Sequence, residues 1–555
     1  MRLGSSSEPG VGSSVKSGVL LAIVGATVFL FGPSLKTVKI RAQDEVCVAS
    51  TPSGRVRGLQ RGTACAYLGI PYATPPVGNL RWRPPQPRVP WAPVVLDTVA
   101  PPPICAQISL FPGAPAGPPA GNEDCLMLNV WSPAQPRRAR MPVIVWFHPG
   151  SFYAASANLA ASNGARFAQE ENVIIVAPNY RLGPFGFLAH SALTLEDPAY
   201  RSSGNYGLLD QRAALAWVRD HIAAFGGDPR DVTIAGTSAG GHSVSLHLLS
   251  PGSAGLFHRA VMQSGSASFR WPDAAEAEAQ GEQFARAAGC PDVRSATACL
   301  RSKSRDEVLR ALPIDLQQVV EVGQWSPVID GLEITDQPRE LYQRGQFNRV
   351  PLIIGVNKDE GWPFVDRSFP TGLSASDYAS VVTREFGFDG LAILERYPAA
   401  QYPSPKDALA RLTGDAEYVC EARRVALFVE KTGTPVYLYS FEHSVDTLSG
   451  GRSIHGIESN FLFGNNFGAP SNHVLNAADQ ALFSAMSEYW ARFAATANPN
   501  AGSDFEWPRF DRISARHLVL DANIGEANHV RDQYCNFWEH YFFRSLIGPV
   551  PASRP

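Results

Sequence analysis

No stretch of the 555-residue sequence gathers lysine and arginine into a basic stripe; 48 basic residues are scattered among 51 acidic ones, for a formal net charge of −3. Nucleic acid is thereby disfavoured as a partner, because neutralising phosphates needs clustered cations. Neither a Cys-x-x-Cys nor a His-Glu-x-x-His spacing occurs, so no metal site and no cofactor is expected. There is no internal repeat and no linker that splits the chain, which favours one elaborated domain. Residues 19–31, an uncharged apolar run after Lys16 ended by Gly32-Pro33, are too short for a comfortable membrane span. They read instead as the hydrophobic part of a signal peptide over residues 1–42, or of a retained N-terminal anchor, with Ile40-Arg41-Ala42 the candidate cleavage site. A single domain over 43–547 and a tail of 548–555 complete the expected layout, with no membrane span in the mature protein.

What is present points to an exported globular chain. All eight cysteines lie beyond the apolar segment, which fits oxidised thiols and a secreted or periplasmic location. Their order suggests three local pairs, Cys47 with Cys65, Cys105 with Cys125 and Cys290 with Cys299, and one long-range pair, Cys420 with Cys535; buried free thiols are the alternative. Residues 47–72 alternate apolar and polar around Ser53-Gly54 and Arg61-Gly62, which predicts an opening antiparallel hairpin region. Apolar runs at 141–147, 172–178 and 231–235 have the length of buried strands, and 350–356 and 435–441 add two more. Residues 210–225 place Leu215, Val218 and Ile222 at helical spacing, and 477–497 form a long amphipathic helix ended by Asn498-Pro499. Apolar strands alternating with helices imply an α/β fold: a large, mostly parallel sheet with helices on both faces.

The sharpest local signal is Gly236-Thr237-Ser238-Ala239-Gly240, entered from an apolar strand and followed by a helical segment at 242–249. A turn that tight leaves no room for a Cβ beside the serine, hence the two glycines. It presents the Ser238 hydroxyl at the strand tip, with the Ala239 N–H aimed at an oxygen on the carbon under attack. Alone, the pentapeptide is also what a glycine-rich turn looks like.

Further motifs give it context: Gly69-Ile70-Pro71-Tyr72-Ala73, Glu123-Asp124-Cys125-Leu126, Asn179-Tyr180-Arg181-Leu182-Gly183, Gly204-Asn205-Tyr206-Gly207, Phe225-Gly226-Gly227-Asp228-Pro229, Gly355-Val356-Asn357-Lys358-Asp359-Glu360-Gly361 and Ile454-His455-Gly456. In this order, across nearly all of the chain after Cys47, they resemble the type-B carboxylesterase/lipase family, relatives of the cholinesterases within the α/β-hydrolase superfamily. The resemblance implies a Ser238, Glu360, His455 triad acting through an acyl-enzyme, with a small-molecule ester and water as partners. It implies an oxyanion hole from Gly150, Ser151 and Ala239, where His148-Pro149-Gly150-Ser151 stands in for the family's glycine run and Ser151 is the departure. It makes Cys105–Cys125, Cys290–Cys299 and Cys420–Cys535 the family's three disulfides, with Cys47–Cys65 additional, and Arg81–Glu123 and Arg181–Asp210 structural ion pairs.

On substrate, the chain departs from cholinesterases. No tryptophan lies between Cys105 and Cys125, and Thr237 occupies the position of their glutamate, so recognition of a quaternary ammonium lacks its main parts. Thr237, Arg270 and Trp271 are the expected substrate-side residues; Trp271 matches an acyl-pocket tryptophan and Arg270 stands beside it. The working hypothesis is an ester of a carboxylate-bearing acid, such as the tricarballylate esters of fumonisin-type toxins. The alternatives are a lipase or broad carboxylesterase on neutral esters, and a non-catalytic binding relative.

Overall fold

The computed structural model describes residues 47–108, 117–312, 324–445, 450–467, 472–500, 502 and 505–545. Residues 1–42 and 548–555, expected as a leader and a tail, lie outside the described residues, as do residues 109–116 between Cys105 and Cys125. An eleven-stranded sheet carries the fold. From one edge to the other its strands are Gly525–Asn528, Arg516–Leu520, Val436–Phe441, Leu352–Asn357, Arg259–Gln263, Gly227–Thr237, Met141–Phe147, Ile174–Pro178, Met127–Pro133, Ala64–Pro71 and Leu59–Arg61. The seven from Arg516–Leu520 to Ile174–Pro178 run parallel, and the outer strands pair antiparallel. A small second sheet pairs Val48–Thr51, Gly54–Arg57 and Val95–Asp97.

The apolar runs become central strands because both faces of the sheet are covered. Along Met141–Phe147 every residue is buried, and alternate side chains divide between two cores: Val143, Val145 and Phe147 enter one, Ile144 and Trp146 the other. The first core takes Leu215 and Val218 from helix Tyr206–His221 and Val244 and Leu248 from helix Ala239–Leu249. The second takes Met486, Trp490 and Phe493 from helix Ala477–Thr496, which a capping box at Asn476 and Asp479 starts.

Element boundaries shift for local reasons. The helix expected at 210–225 is Tyr206–His221 followed by a tighter turn, Ile222–Phe225, which Gly226 ends at φ 86°. The strand expected from 172 starts at Ile174, because Asn172 closes helix Ala165–Glu171 in the left-handed conformation. The pairs Cys47–Cys65, Cys105–Cys125, Cys290–Cys299 and Cys420–Cys535 are all disulfides, the last closing a separation of 115 residues. Arg81 and Glu123 pair at 2.6 Å, and Arg181 and Asp210 pair at 2.7 Å in full burial. Among the described residues, no helix is long and apolar enough to cross a membrane.

Strand Met141–Phe147 lies between Ile174–Pro178 on one side and Gly227–Thr237 on the other, so the chain winds off in both directions from it. At such a reversal the crevice beyond the strand ends is open, and parallel α/β sheets place their sites there.

Candidate active site

Ser238 sits at that crevice, between the end of strand Gly227–Thr237 and helix Ala239–Leu249. Its backbone is held at φ 58° and ψ −126°, a conformation costing about 1–3 kcal/mol for a residue with a side chain. The neighbours force it. A Cβ on Gly240 would stand 2.0 Å from the Phe147 carbonyl oxygen, and one on Gly236 2.6 Å from the Gly240 carbonyl carbon. A Cβ on Gly265 would stand 2.2 Å from the Ser238 carbonyl oxygen. The turn is therefore wedged between two strand ends, and the first N–H groups of the helix, Ala239 included, have no acceptor within the helix.

The loop after Phe147 faces this turn. Gly150 has φ 123°, and a Cβ there would lie 2.1 Å from the Ala154 oxygen, so only glycine fits. The N–H groups of Tyr153 and Ala154 both donate to the Gly150 carbonyl at 3.0 Å, which fixes the turn. Ser151 and Phe152 follow at φ 51° and 61°. The glycine-to-serine departure thus falls on a backbone position that glycine adopts freely and serine adopts under strain. His148 is buried, stacked at 4.2 Å on Tyr180, whose hydroxyl donates to the His148 carbonyl at 2.8 Å. Burial lowers its imidazole to about 4, so the ring is a neutral brace for the loop.

Glu360 and His455 come from loops beyond strands Leu352–Asn357 and Val436–Phe441. The two loops are zipped together: the Asp359 N–H donates to the Ser453 carbonyl at 2.9 Å, and the Ser453 N–H returns to Asp359 Oδ2 at 3.1 Å. His455 Nδ1 lies 2.5 Å from Glu360 Oε2, while Glu360 Oε1 accepts the Asn357 N–H at 2.6 Å. A carboxylate only accepts, so the pair puts the imidazole proton on Nδ1 and turns a lone pair onto Nε2. Phe364 and Tyr418 flank the ring at 5.2 and 4.7 Å, which limits its rotation.

Beneath this pair is a second buried carboxylate that the motifs did not single out. Glu458 accepts from the Thr237 hydroxyl at 2.7 Å, from Gln263 Nε2 at 3.2 Å and from Asn357 Nδ2 at 2.6 Å. Burial first, and then the charge of Glu360, raises its pKa. Asn357 Nδ2 also donates to the Ile454 carbonyl at 2.8 Å, so this one side chain and its own N–H touch Glu360, the residue before His455 and Glu458. Its position at the end of the apolar run 350–356, three residues before Glu360, was the available signal.

The three substrate-side expectations divide. Trp271 is buried, stacks on Phe269 at 4.8 Å and meets Phe152 and His242 edge-on at 6.1 and 5.8 Å. Thr237 is buried with its hydroxyl committed to Glu458. Arg270 is 41% exposed, and its guanidinium is held by Glu276 at 2.8 Å in the first turn of helix Ala274–Ala287. Among the described residues no cluster of His, Cys, Asp and Glu could hold a metal ion.

A mostly parallel sheet covered by helices, with a strained strand-to-helix serine at its reversal point, defines an α/β-hydrolase. Residues 45–538 match the carboxylesterase family model, and the chain is 35% identical to a cholinesterase of Mus musculus over 544 residues, covering 91% of this chain and 88% of that one. The chain belongs to the carboxylesterase family and is a carboxylic ester hydrolase.

Proposed function

We propose that the chain hydrolyses neutral carboxylic esters by double displacement at Ser238. His455 Nε2 takes the Ser238 proton as Oγ attacks the ester carbonyl, and Glu360 stabilises the imidazolium that forms. The N–H groups of Gly150, Ser151 and Ala239 receive the oxyanion. His455 then protonates the departing alcohol, and water, deprotonated by the same imidazole, releases the acid from the acyl-enzyme. The observation that carries this reading is the 2.5 Å contact between His455 Nδ1 and Glu360 Oε2, on loops tied through Asn357 and Glu458 to Thr237, the residue before Ser238. It also argues against a non-catalytic binding relative, which has no need to keep an oriented acid–imidazole pair.

Neutral acyl groups are favoured over carboxylate-bearing ones by the partners of Arg270. To meet an acyl carboxylate the guanidinium would have to leave Glu276, while the residues packed on Trp271 are aromatic. A retained preference for tricarballylate-type esters that Arg270→Ala abolishes would restore the other reading. The four disulfides fit export, with residues 1–42 as the leader of a domain over 43–547. Turnover of p-nitrophenyl acetate by the wild type, reduced at least a thousandfold in Ser238→Ala, Glu360→Gln and His455→Ala, tests the mechanism. Wild-type rates in any of the three would refute it.

A further inference from the structure

A cavity of about 350 Å³ borders the Glu360 loop, and the exposed Gly450 and Gly451 among its lining residues open it to solvent. Four carboxyl groups line it, those of Asp359, Glu360, Asp407 and Asp415, against three cations, Lys358, Arg411 and Arg452. Most of these are committed. Glu360 holds His455 at 2.5 Å, Lys358 pairs with Glu442 at 2.7 Å and Arg452 with Asp407 at 2.9 Å. Asp415 is buried, accepts from the Tyr397 hydroxyl at 3.2 Å and stands 3.7 Å from Arg531 Nε. Burial raises its carboxyl to about 7, against the lowering charge of Arg411 and the Tyr397 hydrogen bond, so near neutral pH it is uncharged much of the time. Asp359 and Arg411 remain as counter-charges to each other.

Arg411 stands in the last turn of helix Pro405–Gly414, which Ser404 caps by accepting the Asp407 N–H at 3.2 Å. That turn is locked against the Glu360 loop, because a Cβ on Gly361 would stand 2.2 Å from the Ala410 carbonyl oxygen and 2.8 Å from the Gly414 nitrogen. Arg411 Nη2 lies 3.7 Å from Asp359 Oδ1, its one ion pair among the described residues, and Nη1 is buried with no hydrogen-bond partner among them. The other Asp359 oxygen, Oδ2, accepts the Ser453 N–H at 3.1 Å, one of the two bonds that zip the Glu360 and His455 loops. One carboxylate thus faces a fixed cation on one side and the approach to His455 on the other. At 3.7 Å the guanidinium supplies charge rather than the direction of a hydrogen bond.

We infer that Arg411 is a positioning residue: its charge holds the Asp359 carboxylate on the Ser453 N–H and so keeps His455 aligned with Glu360, an inference that rests on those two residues serving Ser238 as proposed above. Without the cation, Asp359 faces Glu360 and Asp407 around the cavity with its own charge unopposed. Turning out to solvent relieves the repulsion and breaks the Ser453 bond, and at 23% exposure the way out is short.

The test is kcat and KM for p-nitrophenyl acetate, with a thermal melt of each variant. Arg411→Ala lowers kcat about tenfold with KM little changed, since a loop displaced by part of the ~1 Å that costs a hundredfold loses part of that factor. Arg411→Lys keeps the charge and stays within about threefold of wild type. Because the cavity is open, the charge can be returned: millimolar guanidinium raises the kcat of Arg411→Ala about threefold or more, while urea, its neutral isostere, does not, and neither changes the wild type. In an Asp359→Asn background Arg411→Ala costs less than about twofold, and guanidinium rescues nothing. A merely structural arginine would lower the melting temperature without kcat returning on addition of a free ion. If Arg411→Ala does not fold, Arg411→Gln keeps the stem packed and carries the same comparisons. A folded variant with wild-type kcat, a loss undiminished by Asp359→Asn, or rescue that is absent or equally given by urea overturns the inference and leaves the esterase reading standing. A wild type that does not turn over the ester removes both.

Discussion

Asn357 is the strut on which the Glu360 and His455 loops rest, and Asn357→Asp tests that role through a change of one donor into an anion. The Asn357 amide nitrogen is 2.6 Å from Glu458 Oε2, and its N–H is 2.6 Å from Glu360 Oε1. Two unit charges at the first of these spacings repel by roughly 6 kcal/mol at an effective dielectric near 20. A buried pair relieves such repulsion by holding a proton between its members or by moving apart. At pH 8 movement displaces the Ile454 segment that leads into His455, and misplacement near 1 Å costs about a hundredfold in rate. The expected result is a kcat about 10- to 100-fold below wild type at pH 8, with KM little changed. Relative to wild type the deficit narrows as pH falls toward 6, because the raised carboxyl pKa lets the shared proton bind. Asn357→Ala removes the donor without adding charge, so it lowers stability by roughly 2–3 kcal/mol and shows no such pH trend. The assay is kcat and KM on p-nitrophenyl acetate from pH 6 to 9, with thermal melts of each variant. An Asn357→Asp enzyme with wild-type kcat and Tm at pH 8 refutes the strut.

The remaining predictions concern packing and burial. Asp210→Asn leaves Arg181 buried beside a neutral partner and should cost about 3–5 kcal/mol in denaturant unfolding; a loss below 1 kcal/mol would contradict the pairing. Gly240→Ala forces a methyl against the Phe147 carbonyl and should abolish ester turnover or folding, and an active, stable Gly240→Ala would show that the turn is looser than described. Burial holds the His148 imidazole down to about 4 and the His247 imidazole down to about 3, from 6.5 in each case. Their stabilisation is complete above pH 6.5 and is lost as pH falls toward those values, because the unfolded chain takes up protons that the folded one refuses. Each contributes on the order of 3 kcal/mol or more to that loss, so Tm should fall steeply from pH 6.5 to 4; a flat profile would contradict their burial as neutral rings.

Much of this was legible because it is written in local spacing. The five apolar runs from 141–147 to 435–441 each became central strands, since a strand covered on both faces must be apolar throughout. The glycines around Ser238 announced a turn without room for side chains, and the clearances of 2.0 to 2.6 Å are what that turn requires. What stayed hidden depends on contacts between distant segments. Glu458 is one acidic residue among 51 until the fold brings Thr237, Gln263 and Asn357 around it. His242 is a helical histidine until Phe152 and Trp271 close on it from other loops. Arg270 shows the converse: adjacency to Trp271 in sequence suggested a shared pocket, but the Asp273 and Glu276 capping box of the next helix offered a nearer anion.

The account stands on Ser238 as the acylated residue. Mass spectrometry of the protein quenched during p-nitrophenyl acetate turnover, together with the amplitude of the p-nitrophenol burst, reads this directly. One acetyl group on the peptide containing Ser238, a burst near one equivalent, and neither in Ser238→Ala are predicted. An acetyl group on another residue, or turnover that survives Ser238→Ala, would contradict it.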